Sequence, residues 1–349
     1  MKNFNKTFKI DGVAVGEGQN TYIIAEMSAN HGHDLNKAIE LIHSAKEFGA
    51  NAIKLQTYTA DTLTLNYQSQ DFYITKGPWK GQYMYDLYKD AYTPWEWHPQ
   101  LLEEAKKIGI TLFSSPFDHS SVDFLSELDM PAYKIASPEI IDIPLIRKVA
   151  RTGKPLIIST GNATIAQINS ALQCVKDEGV RDVALLKCTS TYPAPPEDIN
   201  LKTIEHMQES FGCSVGLSDH TMGIGVPIAS VAFGAKIIEK HLVMDRKDKT
   251  ADSFFSATPE EFKLLVDNVR NVEKAIGVVH YPLKKKAAQR CLIVIQDIKE
   301  NEHFTKDNIK SLRPGGGIEP KHFDTIVSHR RASQDIKKGT LLQWEMVLA

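Results

Sequence analysis

Long apolar runs are missing from this 349-residue chain, and none reaches the length that crossing a bilayer requires. The N-terminal segment MKNFNKTFKIDG also lacks the apolar core of a secretory signal. Cysteine is scarce. Cys174, Cys188, Cys213 and Cys291 form no C-x-x-C pair and are too few for a disulfide framework in a chain of this size. They are expected to be free, buried thiols in a reducing compartment. An excess of one charge is missing too. Lysine and arginine number 41 against 43 acidic residues, so no basic field draws in nucleic acid or an anionic membrane surface. These absences predict a cytoplasmic, soluble protein without nucleic-acid or membrane partners. Any anionic ligand must be held by a local cluster of lysines and backbone dipoles.

What is present is ordinary globular material, 42% hydrophobic and 24% charged, which suffices for a sizeable core. After a leader in which Asp11-Gly12 reads as a hairpin turn, apolar β-branched runs alternate with amphipathic stretches. The strand-like runs are Tyr22–Met27, Ala52–Gln56, Thr111–Ser114, Ala132–Ala136, Pro155–Ser159, Val183–Cys188, Ser214–Leu217 and Lys236–His241. Helical stretches fall at Leu35–Phe48, Pro99–Ile108, Val122–Leu128, Ile165–Glu178 and Leu201–Phe211. A last one, Pro259–Ile276, has Thr258 at its N-cap and proline at its first position. Eight such strands interleaved with helices predict a (β/α)8 barrel. An open doubly wound sheet is the alternative, but no Gly-rich fingerprint follows the first strand.

Residues 1–279 are therefore read as a catalytic barrel and 280–290 (HYPLKKKAAQR) as a basic linker. Residues 291–349 read as a small β-rich domain, marginal in stability alone and expected to pack on something larger. Two segments in it, QDIKENEHFTKDNI and QDIKKGTLLQWEMV, predict internal pseudo-symmetry.

In such a barrel the active site sits at the C-terminal ends of the strands, and here every end carries polar or ionisable groups. Side chains two apart share a face. Ser218 pairs with His220 in this way, Glu239 with His241, and Lys54 with Gln56. His220 and His241, on neighbouring strands, suit a Mn²⁺-, Zn²⁺- or Co²⁺-type ion, or else are two hydrogen-bonded rim histidines. Lys54 and Lys134 lie inside apolar strands, a costly place without an anionic partner. That partner is either a bound anion or, for Lys54, a salt bridge to Glu26 or Glu239. Ser137, Ser159, Thr160, Gly161 and Ser218 supply donors suited to a phosphate. The constellation predicts a phosphorylated acid as ligand.

Read in order, IIAEMSANHGHDLNKA, IKLQTYTADTLTL, FSSPFD, YKIAS, STGNAT, KCTSTYPAPPEDINL, GLSDHT and EKHLVMD resemble the motifs of the sialic acid synthases. The C-terminal segment, with RPGGGI and DIKKG, is similar to that family's SAF domain, itself similar to type III antifreeze proteins. The resemblance implies a TIM barrel and a carbon–carbon bond-forming transferase. Its substrates would be phosphoenolpyruvate and an N-acylated amino-sugar aldehyde. It also implies a divalent cation (usually Mn²⁺, with Mg²⁺ or Co²⁺ as alternatives) and a domain-swapped homodimer.

Carried over by position, His220 and His241 are implied as metal ligands. Lys54, Ser115, Lys134, Ser137, Ser159 and Ser218 are implied as the phosphoenolpyruvate site, and Glu26 and Asp252 as neighbours of the sugar. Tyr192 would shape the pocket, and Arg313 would reach across the dimer to the acylamido group. Ser115 stands where the family often has Thr, and Ser190 where it often has Asn. Within the family, DFYITKGPWKGQYMYDLYKDAYTPWEWH and TADSFFS look like pseudaminic acid synthases. That implies 2,4-diacetamido-2,4,6-trideoxy-altrose as acceptor, with N-acetylmannosamine or the legionaminic acid precursor as alternatives. Trp79, Tyr83 and Trp95 are the sequence's candidates for an apolar wall near the sugar's methyl group, or else pack their own loop.

Overall fold

Asp11 and Gly12 both adopt positive φ, 48° and 80°, which an Asp-Gly pair tolerates. They close a hairpin between β1 (Thr7–Ile10) and β2 (Val13–Gly16). This computed structural model describes residues 4–281 and 289–348. Most of the predicted 280–290 linker lies outside the described residues. The chain divides into two units, Met1–Gly277 and Val278–Ala349.

In the first unit eight parallel strands close into a barrel. They are β3 (Tyr22–Glu26), β4 (Ala52–Thr57), β5 (Thr111–Pro116), β6 (Tyr133–Ile135), β7 (Leu156–Ser159), β8 (Val183–Cys188), β9 (Ser214–Asp219) and β10 (Ile237–His241). All eight coincide with the runs read from the sequence, because buried parallel strands are apolar on both faces.

The two faces build two separate cores. Outward residues such as Ile23, Ile53, Leu112, Leu185 and Ile238 pack with the helices. Inward residues form a smaller cluster with Phe8, Ile10 and Val15 of the hairpin, which fills the N-terminal end of the barrel. One step of the two-residue period further along each strand, this inner layer changes character. Ile24, Ala52, Phe113, Ala132, Ile157, Leu186, Gly216 and Ile237 give way to Glu26, Lys54, Ser115, Lys134, Ser159, Cys188, Ser218 and Glu239. The barrel is an apolar plug with a polar top.

The predicted helices form within a few residues of their expected bounds. Others are not among the stretches read from the sequence, and the two longest of them have eight residues each. Ile143–Ala150 is short, with proline in its first turn, and Met84–Ala91 lies in the long connection after β4. Too few turns are present in either for a periodic signal.

The second unit has its own core, including Leu292, Phe304, Ile309, Ile326 and Leu342. β11 (Cys291–Val294) pairs antiparallel with β12 (Ile309–Leu312), and β13 (Arg331–Ala332) with β14 (Val347–Leu348). The two similar segments meet each other. Ile298 and Ile336 exchange backbone hydrogen bonds of 2.8 Å in both directions. Lys299 pairs with Asp335 and Lys337 with Asp297, each at 2.7 Å. The internal likeness is thus a local pseudo-two-fold.

Thr258 caps Pro259–Ile276 in a reciprocal box with Glu261. Thr258→Ala should lower the unfolding free energy by about 1 kcal/mol with the fold retained, measured as a shift in urea midpoint at unchanged m-value.

Candidate active site

A cavity of about 470 Å³ opens at the C-terminal ends of the strands. Its floor is the polar layer. Lys54 Nζ lies 2.6 Å from Glu26 Oε2, 3.9 Å from Glu239 Oε1 and 3.2 Å from Ser115 Oγ, to which it donates. Lys134 Nζ lies 3.2 Å from Glu239 Oε1, which also accepts from Ser218 Oγ at 3.3 Å. All four charged side chains are almost wholly buried. For Lys54, the salt bridge read as an alternative in the sequence is made in this structure, with Glu26 and Glu239 both taking part.

Burial pushes the Glu26 carboxyl up, to about 7, against the pull of Lys54 and with help from Glu239. Burial opposes the Lys54 ammonium, but Glu239 and Glu26 outweigh it and raise its pKa. Lys134 has less compensation. Burial lowers it, Glu239 opposes the drop, and Lys54 adds to it.

Beside this layer stand two imidazoles. His220 and His241 project from neighbouring strand ends with ring centroids 5.4 Å apart. His220 Nδ1 is 3.0 Å from the Thr189 carbonyl, which favours the Nδ1–H tautomer and leaves Nε2 free. Burial drives the His241 pKa well below its ordinary value, so that ring is neutral. Its buried Nδ1 has no hydrogen-bond partner and lies 3.7 Å from Asp252 Oδ2. Ser28 donates to Asp252, while Gln56 Nε2 donates to Glu26 Oε1 at 2.8 Å and to Ser28 Oγ at 3.0 Å. A continuous polar chain therefore joins Glu26 to Asp252. Tyr192 packs on His220, ring centroids 4.4 Å apart, and Phe255 on His241, 4.7 Å apart.

Gly161 sits where a side chain has no room. A Cβ there would overlap Ser190 Oγ and come within 2.7 Å of Ser137 Oγ. The Gly161 N–H donates to that Ser137 hydroxyl at 3.0 Å. Ser159 Oγ is buried with no partner, a donor left for something in the cavity.

Of the barrel residues predicted for the site, Glu26, Lys54, Ser115, Lys134, Ser137, Ser159, Ser190, Tyr192, Ser218, His220, His241 and Asp252 line this one cavity, whereas Thr160 and Gly161 do not, the Thr160 hydroxyl donating instead to the Leu186 carbonyl at 3.1 Å. Arg313 belongs to the second unit, where it follows β12 and joins Pro314 through a cis peptide bond. Of the three aromatic wall candidates only Trp79 reaches the cavity, with its Nε1 donating to the Ala251 carbonyl at 2.9 Å. Tyr83 packs on Tyr73, and Trp95 stacks on Phe124 and donates to the Tyr58 carbonyl. The apolar wall is made instead by Ile74, Met84, Leu87 and Ala91. Glu239, Ser28 and Cys188 were not singled out as site residues. Strand alternation was the available signal, because Glu239 shares a face with His241.

A closed (β/α)8 barrel with this rim of paired lysines, carboxylates and imidazoles is that of an enzyme. The chain belongs to the NeuB family, whose profile matches residues 41–281, and a SAF domain matches 289–348. It is 45% identical to a pseudaminic acid synthase of Campylobacter jejuni subsp. jejuni, over 92% of this chain and 95% of that one. To an N,N'-diacetyllegionaminic acid synthase of Legionella pneumophila it is 36% identical, over 98% and 99%. Among solved structures it resembles an N-acetylneuraminic acid synthetase from Leptospira borgpetersenii. The TM-score is 0.71 and the identity 31%, over 82% of this chain and 95% of that one.

Glu139, in a side chamber with Gln56, Tyr58 and Tyr88, has a buried Oε2 without a partner. Burial lifts its carboxyl to about 7. The folded state thus holds this proton more tightly than the unfolded chain, so this site's contribution to stability falls as pH rises from about 4.5 to about 7 and then levels off. Glu139→Gln should stabilise the protein at pH 8 by up to about 3 kcal/mol, and the gain should vanish near pH 4.5. Urea unfolding of both proteins at the two pH values checks this.

Proposed function

We propose that this chain is a pseudaminic acid synthase, which condenses phosphoenolpyruvate with 2,4-diacetamido-2,4,6-trideoxy-altrose to give pseudaminic acid and inorganic phosphate. The observation that carries the reading is the buried layer in which Lys54 donates to the Ser115 hydroxyl while Lys134 and the Ser218 hydroxyl share the Glu239 carboxylate, all on one cavity floor. Two ammonium groups and several short donors suit a small phosphorylated carboxylate. The Ser137 hydroxyl, which accepts from the Gly161 N–H, and the unpartnered Ser159 hydroxyl extend the same donor set.

The residues divide the work between two substrates. Lys54, Lys134 and the hydroxyls hold phosphoenolpyruvate with its C3 facing the acceptor's aldehyde carbon, chiefly a positioning effect. C3 forms the new carbon–carbon bond and leaves C2 electron-poor. Water adds at C2, and the bond between C2 and the phosphate oxygen then breaks. Glu26, with its carboxyl raised to about 7, is suited to take the proton from that water at neutral pH. Asp252, Ser28 and Gln56 orient the sugar's hydroxyls, and Tyr192 and Ser190 bound the cavity beside them.

His220 and His241 fit a divalent cation, Mn²⁺ in this reading, with Mg²⁺ or Co²⁺ as substitutes. One free Nε2 and one neutral ring offer two nitrogen donors. Among the described residues no group of three or more His, Cys, Asp or Glu side chains is arranged around an ion, so further ligands would come from water and substrate. Such an ion supplies Lewis-acid polarisation of the aldehyde.

The choice of acceptor rests on the higher identity to a pseudaminic acid synthase than to the legionaminic enzyme, and on the apolar wall. A 6-deoxy terminus against Ile74, Met84, Leu87 and Ala91 gains burial, whereas an unpaired hydroxyl there costs about 1–3 kcal/mol. In the same reading the enzyme is a domain-swapped homodimer, with Arg313 reaching the sugar in the other subunit. In that reading the SAF domain matched at 289–348 is the part that carries Arg313. No described helix is long and apolar enough to cross a membrane, and the cysteines are free and buried. Both fit a reaction in the cytoplasm.

Phosphate release measured side by side with the altrose derivative, N-acetylmannosamine and the legionaminic acid precursor tests the assignment. The altrose derivative should give a kcat/KM at least about tenfold above the others, the scale of one misplaced polar group. A higher value for either competitor would reassign the enzyme within its family.

A further inference from the structure

We infer that Asp219 and Lys240 are positioning residues that hold His220 and His241 at the spacing a shared cation needs. The inference rests on the proposed reading of those two histidines as ligands. Neither residue points into the cavity. Both alternate with groups that do: Asp219 lies between Ser218 and His220, and Lys240 between Glu239 and His241. They face outward, where their neighbours on the same strands, Leu217, Ile238 and Leu242, pack into the helix-side core. A charged pair here takes the place of apolar residues.

The pair sits at the last rung of a ladder. β9 and β10 pair from Ile238↔Leu217 to Lys240↔Asp219, and β9 ends at Asp219. His220 is one residue beyond, where strand pairing no longer fixes its distance from β10. Side chains take over at that point. Lys240 Nζ lies 2.6 Å from Asp219 Oδ2 and donates to the Thr221 carbonyl at 2.9 Å. The Thr221 hydroxyl and N–H both donate back to Asp219 Oδ1, at 2.9 and 3.3 Å. The chain is clamped on each side of His220 to the residue that immediately precedes His241. All three residues are almost completely buried, at 1%, 0% and 2% exposure for Asp219, Thr221 and Lys240.

Energetics separates this role from simple stabilisation. A buried ion pair is often no more stabilising than apolar residues of the same volume, because both charges leave water. What it fixes is direction, since a short charge-assisted bond tolerates little displacement. The groups it directs are the two imidazoles that cross the site 5.4 Å apart.

Removing one partner alone would strand a buried charge, so the test replaces both, as Asp219→Asn with Lys240→Met. Purified enzyme stripped of metal is titrated with Co²⁺ alone, reading both the dissociation constant and the visible d–d spectrum. The double variant should keep its far-UV spectrum yet bind Co²⁺ about 10–100-fold more weakly with an altered band, the usual scale for losing an outer support of a ligand. Wild-type affinity and an unchanged band in the folded double variant would overturn the inference. Lys240→Arg, which keeps the charge but replaces the compact ammonium, covers the case in which the double variant does not fold. It should weaken Co²⁺ binding several-fold, and unchanged binding would overturn the inference equally. His220→Ala and His241→Ala run alongside. Co²⁺ bound by both as tightly as by wild type would refute the ligand reading itself, whatever the paired variants do.

Discussion

Four charges buried in one layer of the barrel govern the rest of the site. Lys54 lies between Glu26 and Glu239, and Lys134 rests on Glu239. Any one of these groups alone would be costly at that depth, and together their formal charges cancel. The cancellation lets the barrel fold with a polar top above its apolar plug. It also sets the terms for binding. An anion entering a neutral layer must draw the lysines from their carboxylates, and the excess negative charge needs an offset. One is at hand, a cation at the paired imidazoles. The proposed chemistry uses it and leaves Glu26, raised by burial to about 7, to take the proton from water, so the electrostatics of the layer and the proposed reaction follow from one arrangement.

Much of this was legible in the sequence because strands have a period of two. The switch from apolar to polar residues falls at the same level in all eight strands, and each run shows it locally. Distances across the barrel are a different matter. Lys134 on β6 and Glu239 on β10 are not neighbours in the sheet, and their contact exists only because the sheet closes. No local pattern announces it, which is why Glu239 was read as one partner for Lys54 and not as the hub of both lysines. Of the two readings open for the aromatics, packing of their own loop holds for Tyr83 and Trp95 for a related reason. The connection after β4 has short helices of its own, and Tyr83 and Trp95 are spent on packing them. What this connection presents to the cavity is Ile74, Met84, Leu87 and Ala91 together with Tyr58, Trp79 and Tyr88.

In the C-terminal unit the balance is similar. Two copies of Gln-Asp-Ile-Lys are plain in the sequence, but their reciprocity is not. Each lysine pairs with the other copy's aspartate, and each isoleucine with the other's backbone. Exposed ion pairs of this kind add little stability individually. Their use is to fix register across a small core, on the same principle as the buried Asp219–Lys240 pair in the barrel.

The central claim is that phosphoenolpyruvate is joined through C3 and loses phosphate by cleavage at carbon. Turnover of phosphoenolpyruvate carrying ¹⁸O in the oxygen that bridges C2 and phosphorus tests it most directly, with mass analysis of the released phosphate. Cleavage of the C2–O bond predicts that the phosphate retains the label. Phosphate released without label would mean that the phosphorus–oxygen bond breaks instead, and would contradict the account.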